Sequence, residues 1–141
     1  MSIAVVYWSG TGNTQAMAEA VVKGIVEGGA EAELLSVDQA DASEIARGDV
    51  FALGCPSMGA EELEEGEFQP MFESCRLKLE GKRIALFGSY GWGDGEWMRN
   101  WENLCKADGA LLVSESVICN DAPDEDILLA CKELGKQLSG L

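Results

Sequence analysis

The apolar run Ile3-Ala4-Val5-Val6-Tyr7-Trp8 passes directly into Ser9-Gly10-Thr11-Gly12-Asn13-Thr14 and from there into a stretch with helical spacing. Few folds accommodate that order. A Gly-rich turn between a buried parallel strand and a helix aims unpaired backbone N–H groups and hydroxyls at one point, where the helix dipole also favours an anion. The turn has no Lys, which the triphosphatase pattern G-x-x-x-x-G-K-[ST] requires, and it lacks the third Gly of the dinucleotide fingerprint. It suits one terminal phosphate held by neutral donors. A tight strand-to-helix turn with no ligand is the plainer alternative, and the hexapeptide alone leaves it open.

The rest of the chain repeats this alternation. Short apolar runs at Ile3–Tyr7, Ala32–Val37, Val50–Gly54, Arg83–Gly88 and Leu111–Cys119 predict strands. Between them, Met17, Ala18, Val21, Val22, Ile25 and Val26 form one stripe of a helix over Thr14–Glu27, with Gly28-Gly29 as its stop. Phe68, Met71, Phe72 and Cys75 mark a second helical face, Trp97, Trp101, Leu104 and Cys105 a third, and Ile127, Leu128, Cys131, Leu134 and Leu138 a last one that starts after Pro123. Asp38–Arg47 carries a weaker helical pattern. Strands alternating with helices imply a doubly wound, five-stranded parallel sheet covered on both faces, with ligands outside the carboxyl ends of the strands.

Composition narrows the function. The 141 residues are expected to form one domain over 1–141, close to the common size of about 100–150 residues. Lys and Arg total 10 against 25 Asp and Glu, a formal net charge of −15, so nucleic acid and anionic membranes are repelled and partners should be basic. No run approaches about 18 apolar residues, and no basic leader precedes the first strand, so a cytoplasmic protein is expected. Cys55, Cys75, Cys105, Cys119 and Cys131 are odd in number and lack C-x-x-C spacing, which reads as core filling and not as disulfides or a metal site. The absence of His removes the commonest general base and metal ligand.

Three loops should meet at the carboxyl edge of the sheet: Ser9–Thr14, Cys55–Gly66 and Ser89–Gly95. None pairs a nucleophile with a base. The phosphatase spacing from Cys55 meets Glu61 where Arg is needed. What these loops offer is flat apolar surface: Tyr90 and Trp92 among the glycines of Ser89–Gly95, and the polarisable thioether of Met58 in Pro56-Ser57-Met58-Gly59. Met58 and Trp92 could sandwich a planar ring. Core filling by Met58, and a loop aromatic folded on its own hairpin for Trp92, are the alternatives. Trp97 and Trp101 read as core, and Trp8 as a shield for the phosphate turn.

Tyr7–Thr14, Gly54-Cys55-Pro56-Ser57-Met58-Gly59 and Leu86–Met98 together resemble the short-chain flavodoxins, especially those of anaerobic bacteria, and the match runs nearly end to end. The resemblance implies the strand order 2-1-3-4-5 in a three-layer αβα domain, with a last strand that runs uninterrupted. It also implies non-covalent FMN and one-electron transfer. Ser9, Gly10, Thr11, Gly12, Asn13 and Thr14 would then hold the phosphate, and Met58 and Trp92 would cover the two faces of the isoalloxazine ring. Ser57, Ser89 and Gly91 would line the ribityl chain and ring edge, with Pro56, Gly59, Ala60, Tyr90 and Gly93 also against the cofactor, Asn120 would add a ribityl contact, and Glu61 would accept from the flavin N3–H. In the turn Met58-Gly59-Ala60-Glu61 the family's central peptide reorients on one-electron reduction, so that the Gly carbonyl meets the newly protonated N5. Here Gly59 is followed by Ala60 where close relatives often carry Asp.

That resemblance makes the chain a low-potential carrier cycling between semiquinone and hydroquinone, a monomer that docks transiently on redox proteins with basic surfaces. The acidic rim Glu61–Glu67, with Asp94 and Glu96 opposite, fits such docking, although a merely solubilising face is the alternative. Two other functions remain open: a phosphate-sensing module without redox chemistry, and a small FMN-dependent reductase of quinone- or nitro-type substrates. The first has no use for Met58 and Trp92. The second lacks a nicotinamide site or a substrate lid.

Overall fold

The computed structural model describes residues 2–40, 45, 48–59 and 61–141. Strand β1 (Ser2–Tyr7) leads into helix α1 (Asn13–Glu27), followed by β2 (Glu31–Ser36), β3 (Val50–Gly54), α2 (Phe68–Cys75), β4 (Arg83–Tyr90), α3 (Glu96–Ala107), the short β5 (Leu111–Leu112), β6 (Val117–Asn120) and α4 (Glu125–Ser139). All strand pairs are parallel, in the order β2-β1-β3-β4-β5, with β6 also on β4. Val5 sits beside Leu34 and Ala52, and Leu53 beside Leu86.

Side chains alternate across a strand, so each strand feeds both faces. Val6, Phe51, Leu53, Ile84 and Leu86 point to one side, where α2 and α3 bring Phe68, Phe72, Trp97 and Trp101. Val5, Ala52, Ala85 and Phe87 point to the other, under Met17, Val21 and Ile25 of α1 and Cys131, Leu134 and Leu138 of α4. Trp97 and Trp101 are buried, as their spacing predicts, and so are all five cysteines, none of which is in a disulfide. Helices α1 and α4 cross backbone to backbone. A Cβ on Gly24 would lie 1.9 Å from the Lys132 carbonyl oxygen, and one on Gly135 would lie 2.1 Å from that of Val21.

Two expectations need correction or restriction. The last strand is interrupted: Leu112 faces Ile84 but Val117 faces Phe87, so Val113–Ser116 oppose only Ala85 and Leu86. The surplus residues bulge out of the ladder while both segments stay on the same edge of β4, so the fifth sheet position is built from two pieces. In the Asp38–Arg47 segment, a 3₁₀ turn covers Val37–Gln39, whereas 41–44 and 46–47 lie outside the described residues.

β1 ends where the chain turns to one side for β2 and later returns on the other for β3. The crevice at this reversal is where doubly wound sheets receive ligands.

Candidate functional site

The Gly-rich turn after β1 is shaped by its glycines. Gly12 adopts φ 94° in the left-handed region, where a side chain is strained. Ser9 Oγ accepts from the Gly12 N–H at 3.0 Å, which closes the turn on itself. No side chain caps α1, whose first turn also carries no acid, so the helix start faces the crevice open to an anion. Trp8 leans over this turn. Its ring would stand 3.1 Å from a Cβ on Gly10, and its Nε1–H donates to Glu67 Oε1 at 3.2 Å.

A cleft of about 240 Å³ opens beside this turn, walled by Gly10, Thr11, Asn13, Pro56, Ser57, Met58, Ser89, Tyr90 and Gly91, with Trp8 and Asp121. A neighbouring hollow of about 340 Å³ is bordered by Gly59, Glu61, Trp92, Gly93 and Glu96. Ser9–Thr14, Pro56–Gly59 with Glu61, and Ser89–Gly93 are thus brought to one end of the sheet. Thr14 lies deeper, with its Oγ1 3.4 Å from Ser89 Oγ, which ties the helix start to the end of β4. Tyr90 lines the cleft and packs on Trp97 at 5.5 Å between ring centroids. Met58 is 37% and Trp92 66% exposed, which rules out core filling for Met58.

The turn that carries Met58 is pinned at both ends. The Met58 N–H donates to the Glu62 carbonyl at 2.8 Å and the Glu62 N–H to the Met58 carbonyl at 2.9 Å. Gly59 at φ 50° and Glu61 at φ 56° both lie in the left-handed region, while Ala60 is outside the described residues. For Glu61 this backbone costs about 1–2 kcal/mol. Its side chain runs along Gly93, where a Cβ would collide with Oε1 at 1.8 Å.

Beyond the turn, the Glu64 carboxylate accepts the N–H groups of Gly66, Glu67 and Phe68 at 2.8, 2.7 and 2.8 Å and so caps α2. Burial raises its pKa, but these three backbone donors outweigh burial and hold it below the usual carboxylate value. The Glu64 N–H in turn donates to Cys55 Sγ at 3.4 Å. Burial pushes the Cys55 thiol up to about 12, so it is a structural neighbour of the cleft and not a nucleophile.

The sequence reasoning named Asn120 and missed its neighbour Asp121. Asn120 ends β6 opposite Tyr90 and is exposed, whereas Asp121, at φ 57°, faces the cleft with its N–H on the Tyr90 carbonyl at 2.8 Å. The signal was the polar turn Asn120-Asp121-Ala122-Pro123 closing the last strand.

Polar atoms in the site test what it could hold. Ser57 Oγ and Glu61 Oε2 are buried with no hydrogen-bond partner among the described residues. Such groups are costly unless a ligand satisfies them. An acceptor and a hydroxyl at the cleft, flat apolar side chains above it and a free helix start behind it fit a planar, N–H-bearing ring joined to a phosphate. A doubly wound domain with this cleft at its switch point is suited to a mononucleotide that carries a flat ring.

The flavodoxin family profile matches residues 5–135. The chain is 44% identical to a flavodoxin of Clostridium beijerinckii, over 97% of this chain and 99% of that protein, and 42% identical to one of Megasphaera elsdenii, over 95% and 96%. The solution structure of two-electron reduced Megasphaera elsdenii flavodoxin superposes with a TM-score of 0.90 over 99% of each chain. A flavodoxin from the domain Archaea superposes at 0.85 with 27% identity, covering 99% of this chain and 97% of that one. The chain belongs to the flavodoxin family, whose members bind FMN and carry electrons rather than catalyse a reaction. Among the described residues no helix is long and apolar enough to cross a membrane.

Proposed function

We propose that residues 1–141 act as one monomeric, low-potential, one-electron carrier domain of the cytoplasm, with FMN seated in the cleft by the residues that line it. FMN, when bound, supplies a ring that accepts and releases electrons singly. Ser9, Gly10, Thr11, Gly12, Asn13 and Thr14 hold the phosphate through hydroxyls and backbone N–H groups, with no cation to neutralise it. Met58 and Trp92 cover the two ring faces. Pro56, Ser57, Ser89, Tyr90, Gly91 and Gly93 line the ribityl chain and ring edge, joined by Asp121 and, from the strand end, Asn120. Glu61 would accept the ring N3–H, and the Gly59 peptide would change orientation with the redox state.

The observation that carries this reading is the buried, unpartnered Oε2 of Glu61, an acceptor held by a left-handed backbone against a glycine that leaves no room for a side chain. The low potential follows from charge. Asp121 lines the cleft, and Glu61 and Glu96 border the hollow, in a chain of net charge −15, so each added electron is disfavoured. The same charge keeps copies apart and draws partners with basic docking surfaces. Five cysteines with no disulfide among them suit a reducing compartment.

The test is the visible spectrum of the purified protein, followed by anaerobic titration. Two flavin bands and two well-separated one-electron steps are expected. A yellow protein that reduces in a single two-electron step would favour a small reductase of quinones or nitro compounds. Trp92→Ala should weaken FMN about tenfold by loss of an aromatic face; unchanged affinity and spectrum would remove Trp92 from the site.

A further inference from the structure

A second concavity, of about 550 Å³, lies between α2 and α3 and meets the ring hollow at Glu61. Its apolar lining comes from Leu63, Pro70, Trp101 and Leu104, and Leu104 is 38% exposed although its helix otherwise turns its large apolar side chains inward. Its acidic lining comes from Glu61, Glu62, Glu65 and Glu73. Glu73 already pairs with Arg76 at 3.4 Å, whereas Glu61, Glu62 and Glu65 have no ion pair among the described residues. No basic side chain lines the groove. The buried Trp101, one of the lining residues, keeps an indole N–H with no acceptor. An apolar floor under unpaired carboxylates matches a chain segment whose Arg or Lys stems lie on the floor while their cations meet the rim.

We propose that this groove receives a basic, amphipathic segment of the redox partner. The inference rests on the docking reading above and adds where the partner is anchored. A second copy of this chain is a poor occupant, since each carries a net charge of −15. A segment seated here lies against Glu61 and Glu62, at the pinned end of the Met58–Glu62 turn, and reaches the hollow bordered by Trp92. Its anchor therefore adjoins the hollow in which the ring is proposed to sit.

The probe is a synthetic amphipathic helical peptide with arginines on one face and leucines on the other, titrated into the FMN-loaded protein at low and high salt. Binding is followed by amide chemical-shift mapping. Leu104→Ser leaves the charge unchanged and should weaken binding about three- to tenfold, as expected for loss of an apolar anchor. Glu65→Gln should weaken it and flatten its salt dependence, while Asp94→Asn and Glu96→Gln, outside the groove, should have smaller effects. If only Asp94→Asn and Glu96→Gln matter, acidic docking stands and the groove is overturned. Loss of the salt dependence in the unmodified protein would overturn the docking reading as well. A dimer in sedimentation that Leu104→Ser dissolves would assign the groove to a second copy and overturn the proposal.

Discussion

At the scale of single residues the site depends on backbone that only glycine adopts cheaply. Gly59 sits at φ 50° with open space around its missing Cβ, so a β-branched residue there meets torsional strain and no clash. Gly59→Val should cost about 1–2 kcal/mol and narrow the gap between the two one-electron potentials, measured by redox titration. Gly93 is constrained twice, by its φ of 85° and by Glu61 Oε1, which lies 1.8 Å from where a Cβ would stand. Gly93→Ala should displace the Glu61 carboxylate and weaken FMN by about tenfold or more, as expected for a lost charge-assisted hydrogen bond of about 1.5–3 kcal/mol; flavin fluorescence titration measures it. An unchanged dissociation constant would show that Glu61 does not hold the ring. Ser9–Thr14, Met58 and Trp92 were legible because their chemistry is local: a turn composition, a thioether and an indole beside glycines. Asp121 and the Gly93–Glu61 contact were not, because they depend on which loops face each other.

At the scale of elements, α2 begins on a carboxylate three residues before its N-cap position. Glu64→Ala should cost about 0.5–2 kcal/mol, the range of lost helix caps, read as a lower denaturant midpoint. Because the folded pKa of Glu64 lies below its ordinary value, its contribution is present at neutral pH and lost as pH falls through that lowered value. The acid limb of the stability profile should therefore flatten in Glu64→Ala. Helices α1 to α4 were readable from apolar spacing, and Trp97 and Trp101 fell in the core as that spacing requires. The break between β5 and β6 was not readable. Leu111–Cys119 carries Ser114-Glu115-Ser116 at its centre, a pattern a continuous edge strand could also show, and only the register against β4 reveals that four residues oppose two. Ser116 Oγ donates to Glu102 Oε2 at 2.7 Å beside this bulge, a contact no local pattern announces.

At the scale of the whole molecule, the cleft and the excess of acids set the response to ligand and salt. FMN at a hundredfold excess over its dissociation constant should stabilise the protein by about 2.7 kcal/mol, seen as a rise in melting temperature absent for a non-phosphorylated analogue that binds weakly. Electron transfer to a basic partner should slow as salt screens the −15 charge, and a rate indifferent to ionic strength would reduce the acidic rim to a solubilising face. The sequence by itself determined the doubly wound class, the place of the Gly-rich turn after the first strand and the excess of acids. Periodicity, turn chemistry and charge counts are properties of neighbouring residues or of sums, and neither requires coordinates. Only the tertiary structure decided that Glu61 is held by Gly93, that Asp121 faces the cleft, that the last strand is built from two pieces, and that α2 and α3 leave an acid-rimmed groove between them. Each of these is a contact between segments distant in the chain, settled by how the packed helices and loops fit against one sheet.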